Sequence, residues 1–103
     1  MVNSSNSKDG DTAVIDREVV RVRKISPKYK VLLHNDPVNS MDYVVNTLRQ
    51  VVPQLSEQDA LNVMLETHNN GIGLVIVCDL EPAEFYSESL KAKGLTSTIE
   101  IES

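Results

Sequence analysis

The sequence predicts an α+β domain, in which a small antiparallel three-stranded sheet packs against three helices in the order β-α-α-β-α-β. Three short apolar runs have the length of strands, and three longer segments repeat apolar residues at the helical period. Turn-forming or capping residues separate these segments. A chain of 103 residues has room for one hydrophobic core. Helices covering one face of a small sheet are the simplest way to bury all of these apolar stripes.

The chain divides into a predicted N-terminal extension, residues 1–25, and a predicted core domain, residues 26–103. The extension is rich in Ser, Asn and Asp and poor in apolar residues. Such a segment buries too little surface to offset its ordering entropy, so we expect it to be disordered. A basic cluster that begins in the extension and continues into the start of the core domain is typical of a solvated linker, with nucleic-acid binding as the alternative. The cluster comprises Arg17, Arg21, Arg23, Lys24, Lys28 and Lys30.

The first strand is predicted over residues 29–34, which are almost continuously apolar. Pro37 cannot donate to a sheet ladder, so the chain turns after this strand. The first helix follows, with Asn39 or Ser40 as its cap. Pro53 ends it.

Ser56 and Asp59 resemble a capping box at the start of the second helix, which Gly71 ends. The inward stripe of this helix is expected to comprise Leu61, Met64, Leu65 and His68.

The remaining segments complete the predicted sheet and helices. Residues 73–78 form an apolar run that is typical of a buried strand. Pro82 suits the first turn of a third helix, and Gly94 closes that helix. Residues 96–101 are predicted as a final edge strand.

Charge and composition exclude several classes of function. The net charge is −5, but residues 1–30 carry +3 and residues 31–103 carry −8. The acidic core should repel phosphate backbones, which argues against nucleic acid as a partner. Cys78 is the only cysteine, so no intrachain disulfide can form. The sequence shows no apolar run of membrane-spanning length and no secretory signal pattern, so we expect a cytosolic protein without a membrane partner.

Three polar side chains could surround a small hollow. Asn35 and Asp36 follow the first strand, and His68 lies one turn after Met64 on the second helix. An amide oxygen, a carboxylate and a neutral imidazole nitrogen suit the three donors of a primary ammonium. A floor of Met41, Val44 and Met64 would suit a bulky apolar side chain on the same ligand. These spacings are more often those of an ordinary turn and a rim histidine, and the pattern alone leaves both interpretations open.

Several motifs together resemble the ClpS adaptor family. They are Tyr29-Lys-Val-Leu-Leu-His-Asn-Asp36, Asn39-Ser-Met-Asp-Tyr-Val-Val45, Val63-Met-Leu-Glu-Thr-His-Asn-Asn-Gly71 and Glu81-Pro-Ala-Glu84. The resemblance covers residues 27–103 and is nearest to cyanobacterial and plastid forms. It implies an adaptor that binds N-degrons, the bulky hydrophobic first residues of substrate proteins, and delivers them to a ClpC- or ClpA-type AAA+ unfoldase. Such an adaptor would reside in the cytosol or the plastid stroma.

The resemblance also implies roles for particular residues. Asn35, Asp36 and His68 would hold the substrate α-amino group. Met41 would exclude β-branched first residues, and the rest of the side-chain pocket would comprise Val44, Met64, Thr67 and Leu95. Asn39 would lie at the pocket rim, where relatives have Thr. The third helix would dock on the N-terminal domain of the unfoldase through Glu81, Glu84 and Glu88, for which an ordinary solvated face is the alternative. The N-terminal extension would engage the same partner.

Catalysis and cofactors are not expected. A zinc site of His34, His68 and Cys78 lacks paired ligand spacing. A nucleophile formed by Cys78 or Ser40 with His68 lacks an accompanying elbow or oxyanion motif. The remaining alternative is a generic protein–protein interaction domain without a pocket for an N-terminal residue.

Overall fold

The computed structural model describes residues 26–102, and the predictions for residues 1–25 lie outside this range. The described part has the predicted order of elements. These are β1 (Tyr29–His34), α1 (Met41–Val51), α2 (Glu57–Asn70), β2 (Ile72–Cys78), α3 (Leu80–Ala92) and β3 (Thr96–Ile101).

The three strands form an antiparallel sheet in the order β2-β1-β3. At one end of this sheet, His34 pairs with Ile72 on β2 and with Thr96 on β3. The Asn35 amide extends the ladder by donating to the Gly71 carbonyl at 3.0 Å. The central strand therefore delivers Asn35, at a fixed position, to the edge where α2 ends and β3 begins.

Local capping signals begin and end the helices as the sequence predicts. Ser40 is the cap of α1, because its hydroxyl accepts from the Tyr43 amide at 3.1 Å. Ser56 and Asp59 form the predicted capping box, with bonds of 3.0 and 3.1 Å. Gly71 ends α2 in the left-handed conformation, with φ of 87°. A residue without Cβ adopts this conformation at little cost.

The predicted strand at residues 73–78 is present, but it is only partly buried. β2 lies at the edge of the sheet, and Ile72 and Leu74 are 41% and 40% exposed. Val75 is an extra residue opposite the step from Val31 to Leu32, which produces a β-bulge. An apolar run of this length does not distinguish a central strand from an edge strand, because the difference depends on which neighbour pairs with it.

The predicted inward stripe of α2 is also wrong, except at Met64. Leu61 and Leu65 are 37% and 40% exposed, and His68 is exposed. The stripe that faces the core has the same spacing but begins one residue earlier. It comprises Ala60, Val63, Met64 and Thr67.

Two residues of the buried stripe, Val63 and Thr67, are in close contact with β2. A Cβ at Gly73 would overlap Thr67 Oγ1 and would lie 2.9 Å from the Val63 carbonyl oxygen. The absence of a side chain at Gly73 therefore lets the turn of α2 that carries Val63 and Thr67 approach β2 closely.

The core lies between the sheet and the helices. Its central members are fully or almost fully buried, and they are Val31, Leu33, Leu48, Val52 and Leu90. No helix within residues 26–102 is long and apolar enough to cross a membrane.

Candidate functional site

A cavity of about 380 Å³ opens at the edge of the sheet where β1 ends. Four segments enclose it: the end of β1 with the turn that follows, the start of α1, the last turns of α2, and the residue before β3. The lining includes every residue that the sequence analysis assigned to the ammonium site, the side-chain pocket and the rim. These are Asn35, Asp36, Asn39, Met41, Val44, Met64, Thr67, His68 and Leu95.

The apolar part of the cavity has a buried floor and an exposed mouth. Met64, Thr67 and Leu95 are 4–6% exposed and form the floor. Met41 is 45% exposed and therefore lies at the mouth of the cavity. The argument from spacing placed it in the floor, and that placement is wrong. Val44 is half-buried between them.

Leu33 is a floor residue that the sequence analysis did not assign to the cavity. It is 2% exposed and lines the cavity together with Leu95 and Met64. The two-residue period of a strand could have assigned Leu33 to the cavity, because residues two apart on a strand lie on the same face. Leu33 therefore shares a sheet face with Asn35.

Thr67 presents little polarity to this cavity. Its hydroxyl donates to the Val63 carbonyl at 2.8 Å and lies where a side chain at Gly73 would be. Gly73 is not part of the cavity lining. The hydroxyl is therefore directed toward β2, and the apolar part of the pocket keeps an aliphatic wall.

Asp36 is held in place by its own turn. Its Oδ1 accepts from the backbone amides of Val38 and Asn39 at 3.0 and 3.2 Å, and from the Asn39 side-chain amide at 3.2 Å. Its Oδ2 accepts one long bond of 3.3 Å from the same Asn39 amide. Because an ionised carboxylate has about four acceptor positions, Oδ2 retains capacity for a further donor.

Asn35 and His68 provide polar groups that the fold itself does not use. Within residues 26–102, neither side chain has a hydrogen-bond partner. His68 is exposed in the last turn of α2, on the cavity wall. His34 also lines the cavity, but its Nε2 is paired with Thr98 Oγ1 at 2.7 Å. Asn35, Asp36 and His68 thus line the same cavity as the apolar floor and keep unused acceptor capacity, and the three together are called its polar end.

The alternative metal site and a nucleophile at Cys78 lack supporting geometry. Ser40 lines the cavity together with His68, but its hydroxyl accepts from the Tyr43 amide, and no hydrogen bond joins it to His68 in the described part of the chain. Across residues 26–102, no three His, Cys, Asp or Glu side chains are grouped to hold a metal ion. Cys78 pairs with Tyr29 and His34 pairs with Ile72, at opposite ends of the sheet. Burial, and then the nearby Asp79 carboxylate, raise the pKa of the Cys78 thiol. A raised pKa keeps the thiol protonated, which is unfavourable for a nucleophile.

The three glutamates predicted to dock on a partner are exposed on α3. Glu88 pairs with Lys91 at 2.9 Å, and Phe85 is 66% exposed between the glutamates. Exposed aromatic rings are enriched at protein-binding surfaces. The docking role of this surface stays a prediction.

Comparison with known proteins identifies the family. Residues 24–98 match the family model described as ATP-dependent Clp protease adaptor protein ClpS. The chain belongs to the ClpS family. Proteins of this family are named as adaptors of the Clp protease rather than as enzymes, and this chain is a Clp protease adaptor.

Curated ClpS proteins from bacteria and chloroplasts are similar to this chain. The ClpS adapter of Synechococcus sp. strain CC9902 is 75% identical over 93 residues, which cover 90% of this chain and 89% of that protein. The chloroplastic CLPS1 of Arabidopsis thaliana is 44% identical over 78 residues, covering 76% of this chain and 49% of that protein.

A solved structure shares the fold. The structure of Agrobacterium tumefaciens ClpS2 bound to L-phenylalaninamide has a TM-score of 0.67 and 32% sequence identity. The match covers 75% of this chain and 99% of the solved chain.

Proposed function

We propose that this ClpS protein binds the free N-terminus of substrate proteins whose first residue is bulky and hydrophobic, and delivers those substrates to a Clp AAA+ unfoldase. The observation that supports this proposal is the composition of the cavity, where three acceptor side chains adjoin a buried apolar floor. The ligand of the related ClpS2, L-phenylalaninamide, combines a free α-amino group with a benzyl side chain. A ligand of this kind satisfies both ends of the cavity.

The polar end binds the α-amino group. An ammonium group has three donors, and Asn35, Asp36 and His68 offer one acceptor each. The carboxylate of Asp36 also supplies the opposite charge. Hydrogen bonds that involve a charged group contribute about 1.5–3 kcal/mol each. Acetylation removes both the charge and two donors, so an acetylated N-terminus loses most of this interaction.

The apolar end binds the first side chain. Burying a large apolar side chain stabilises the complex by about 1.5–3 kcal/mol. Val44, Met64, Thr67 and Leu95 contact this side chain, while Met41 at the mouth crowds any branch at the β-carbon. The pocket thus favours Leu, Phe, Tyr or Trp over Val and Ile.

Delivery uses surfaces away from the cavity. Glu81, Glu84 and Glu88 on α3 dock on the N-terminal domain of a ClpC- or ClpA-type unfoldase, and the extension of residues 1–25 engages the same partner. The cyanobacterial and chloroplast relatives support the cytosol or plastid stroma as the location. Changing the three glutamates to glutamine should weaken binding to the unfoldase and leave peptide affinity unchanged, which pull-down and peptide titration measure separately.

Fluorescence anisotropy with labelled peptides tests the binding step. We expect a peptide that begins with free Phe to bind and its N-acetylated form to bind at least tenfold more weakly. Asn35→Ala should reduce the affinity of the free peptide. The matched control is Asn46→Ala, because Asn46 is exposed on α1 and lies outside the cavity. Equal affinity for the free and acetylated peptides would instead indicate a generic interaction domain.

A further inference from the structure

Helix α1 is bonded to the segment that joins α3 to β3. The Tyr43 hydroxyl donates to the Lys93 carbonyl at 2.6 Å. The Asn39 side-chain amide donates to the Gly94 carbonyl at 3.0 Å. These two carbonyls lie just beyond the end of α3, where a helix leaves acceptors without partners inside the helix. The two bonds therefore connect residues that are 50 and 55 positions apart in the sequence.

The segment that they hold leads directly to a wall of the cavity. Gly94 has a φ of 90°, and Leu95 follows it with 5% of its surface exposed. The Leu95 amide donates to the Leu90 carbonyl at 3.1 Å, which anchors it to α3. Tyr43 and Asn39 thus connect α1, which carries Met41 and Val44, to the two residues that precede Leu95.

Asn39 connects this wall to the polar end as well. Its Nδ2 donates to the Asp36 carboxylate and to the Gly94 carbonyl. Both partners only accept hydrogen bonds, so the donor side of the amide must face both of them. A single side chain thereby orients the proposed ammonium acceptor and holds the opposite apolar wall.

We propose that Asn39 and Tyr43 are positioning residues that set the width of the side-chain pocket and thereby the choice of first residue. The proposal rests on the proposed function. When the distance between packed atoms increases by about 0.5–1 Å, a quarter to a half of their dispersion attraction is lost. A small displacement of the Leu95 wall consequently weakens the binding of a well-fitting side chain more than that of a poorly fitting one.

Tyr43→Phe tests the wall most cleanly, because it removes one hydroxyl that does not line the cavity. We expect the affinity for a Phe-peptide to fall about two- to tenfold, the range that corresponds to one lost hydrogen bond. The differences among peptides that begin with Leu, Phe and Trp should become smaller. The ratio of free to acetylated affinity should not change, because the ammonium acceptors are untouched.

Tyr86→Phe is the matched control. The Tyr86 hydroxyl also makes one hydrogen bond, accepting from Gln54 Nε2 at 2.7 Å, but it lies outside the cavity. We expect this variant to retain the affinity and the ranking of first residues of the unmodified protein.

Asn39→Asp tests the bonds that the Asn39 amide makes to Asp36 and Gly94, because Asp has nearly the same shape as Asn. It replaces the donor with an acceptor that faces the Asp36 carboxylate and the Gly94 carbonyl. We expect it to weaken binding for all first residues and to reduce the ratio of free to acetylated affinity, in contrast to Tyr43→Phe.

The outcomes separate this proposal from the proposed function. If the unmodified protein binds free and acetylated peptides alike, the proposed function is wrong and the positioning role is wrong with it. If the unmodified protein discriminates but Tyr43→Phe leaves the ranking of Leu, Phe and Trp unchanged, only the positioning role is overturned. A uniform loss of affinity for all three peptides likewise overturns it, because a purely structural defect has that effect.

Discussion

Replacing Gly73 with alanine tests the close contact between α2 and β2 that supports one wall of the cavity. The added Cβ would overlap Thr67 Oγ1 and would lie 2.9 Å from the Val63 carbonyl oxygen and 3.2 Å from the Thr67 nitrogen. Two of these three atoms belong to the helix backbone and cannot rotate away. The helix and the strand must therefore separate, and Thr67 loses its present position in the cavity.

The expected cost is at the upper end of the range for overpacking, about 2–3 kcal/mol in the free energy of unfolding. Gly71→Ala is the matched control. A Cβ added at Gly71 has no neighbouring atom within 4 Å, but the φ of 87° at this position is unfavourable for any residue with a Cβ. A left-handed residue with a Cβ costs roughly 1–2 kcal/mol, so this variant measures the backbone penalty without a steric clash.

Urea unfolding followed by circular dichroism measures both variants, since the chain has no Trp for fluorescence. We expect Gly73→Ala to lower the midpoint more than Gly71→Ala does. The double variant Thr67→Ala/Gly73→Ala should recover part of the loss, because it removes Oγ1 and leaves the backbone contacts. A Gly73→Ala midpoint equal to that of the unmodified protein, or above that of Gly71→Ala, would refute the close packing of α2 on β2.

The remaining predictions concern the cavity and the thiol. His68→Ala should weaken binding of a Phe-peptide by about 1–3 kcal/mol in anisotropy titrations, since a buried ammonium donor loses its acceptor; unchanged affinity would exclude His68 as that acceptor. Met41→Ala should admit peptides that begin with Val or Ile, and the same titrations should show their affinity rising relative to Phe; an unchanged ratio contradicts the gatekeeper role. Because burial raises its pKa, the Cys78 thiol should react with iodoacetamide slowly at neutral pH. Its rate should rise with pH through a midpoint above that of free cysteine; a midpoint below it contradicts the burial argument.

Local signals in the sequence predict most of the fold. The caps at Ser40, Ser56 and Gly71 depend on residues within four positions of each other, so the sequence alone places the helix ends correctly. The order of elements follows from the same local signals. The edge position of β2 does not, because it depends on β1 pairing with both other strands.

The choice of the buried face of α2 shows a second limit of prediction from the sequence. Two stripes with the same spacing share Met64, and the more apolar one contains Leu61 and Leu65. In the stripe that is buried, Val63 and Thr67 lie close to Gly73 on β2. This contact involves a different element, so the periodicity of the helix could not reveal it.

The candidate site depends on both kinds of information. Residue chemistry suggested three acceptors beside an apolar hollow, but only the family resemblance assigned roles to Thr67 and Leu95. The hydroxyl of Tyr43 remained without a role because its partner, the Lys93 carbonyl, is distant in sequence. Such contacts become evident only when the chain is folded.

Nuclear magnetic resonance with phenylalaninamide tests the central claim most directly, because it observes where the ligand binds. We expect saturable shifts of the Asn35 side-chain amide, the His68 imidazole and the Leu95 methyl groups, with N-acetylphenylalaninamide producing far smaller shifts at equal concentration. Shifts confined to other surfaces, or equal shifts with both ligands, would contradict recognition of a free N-terminus by this cavity.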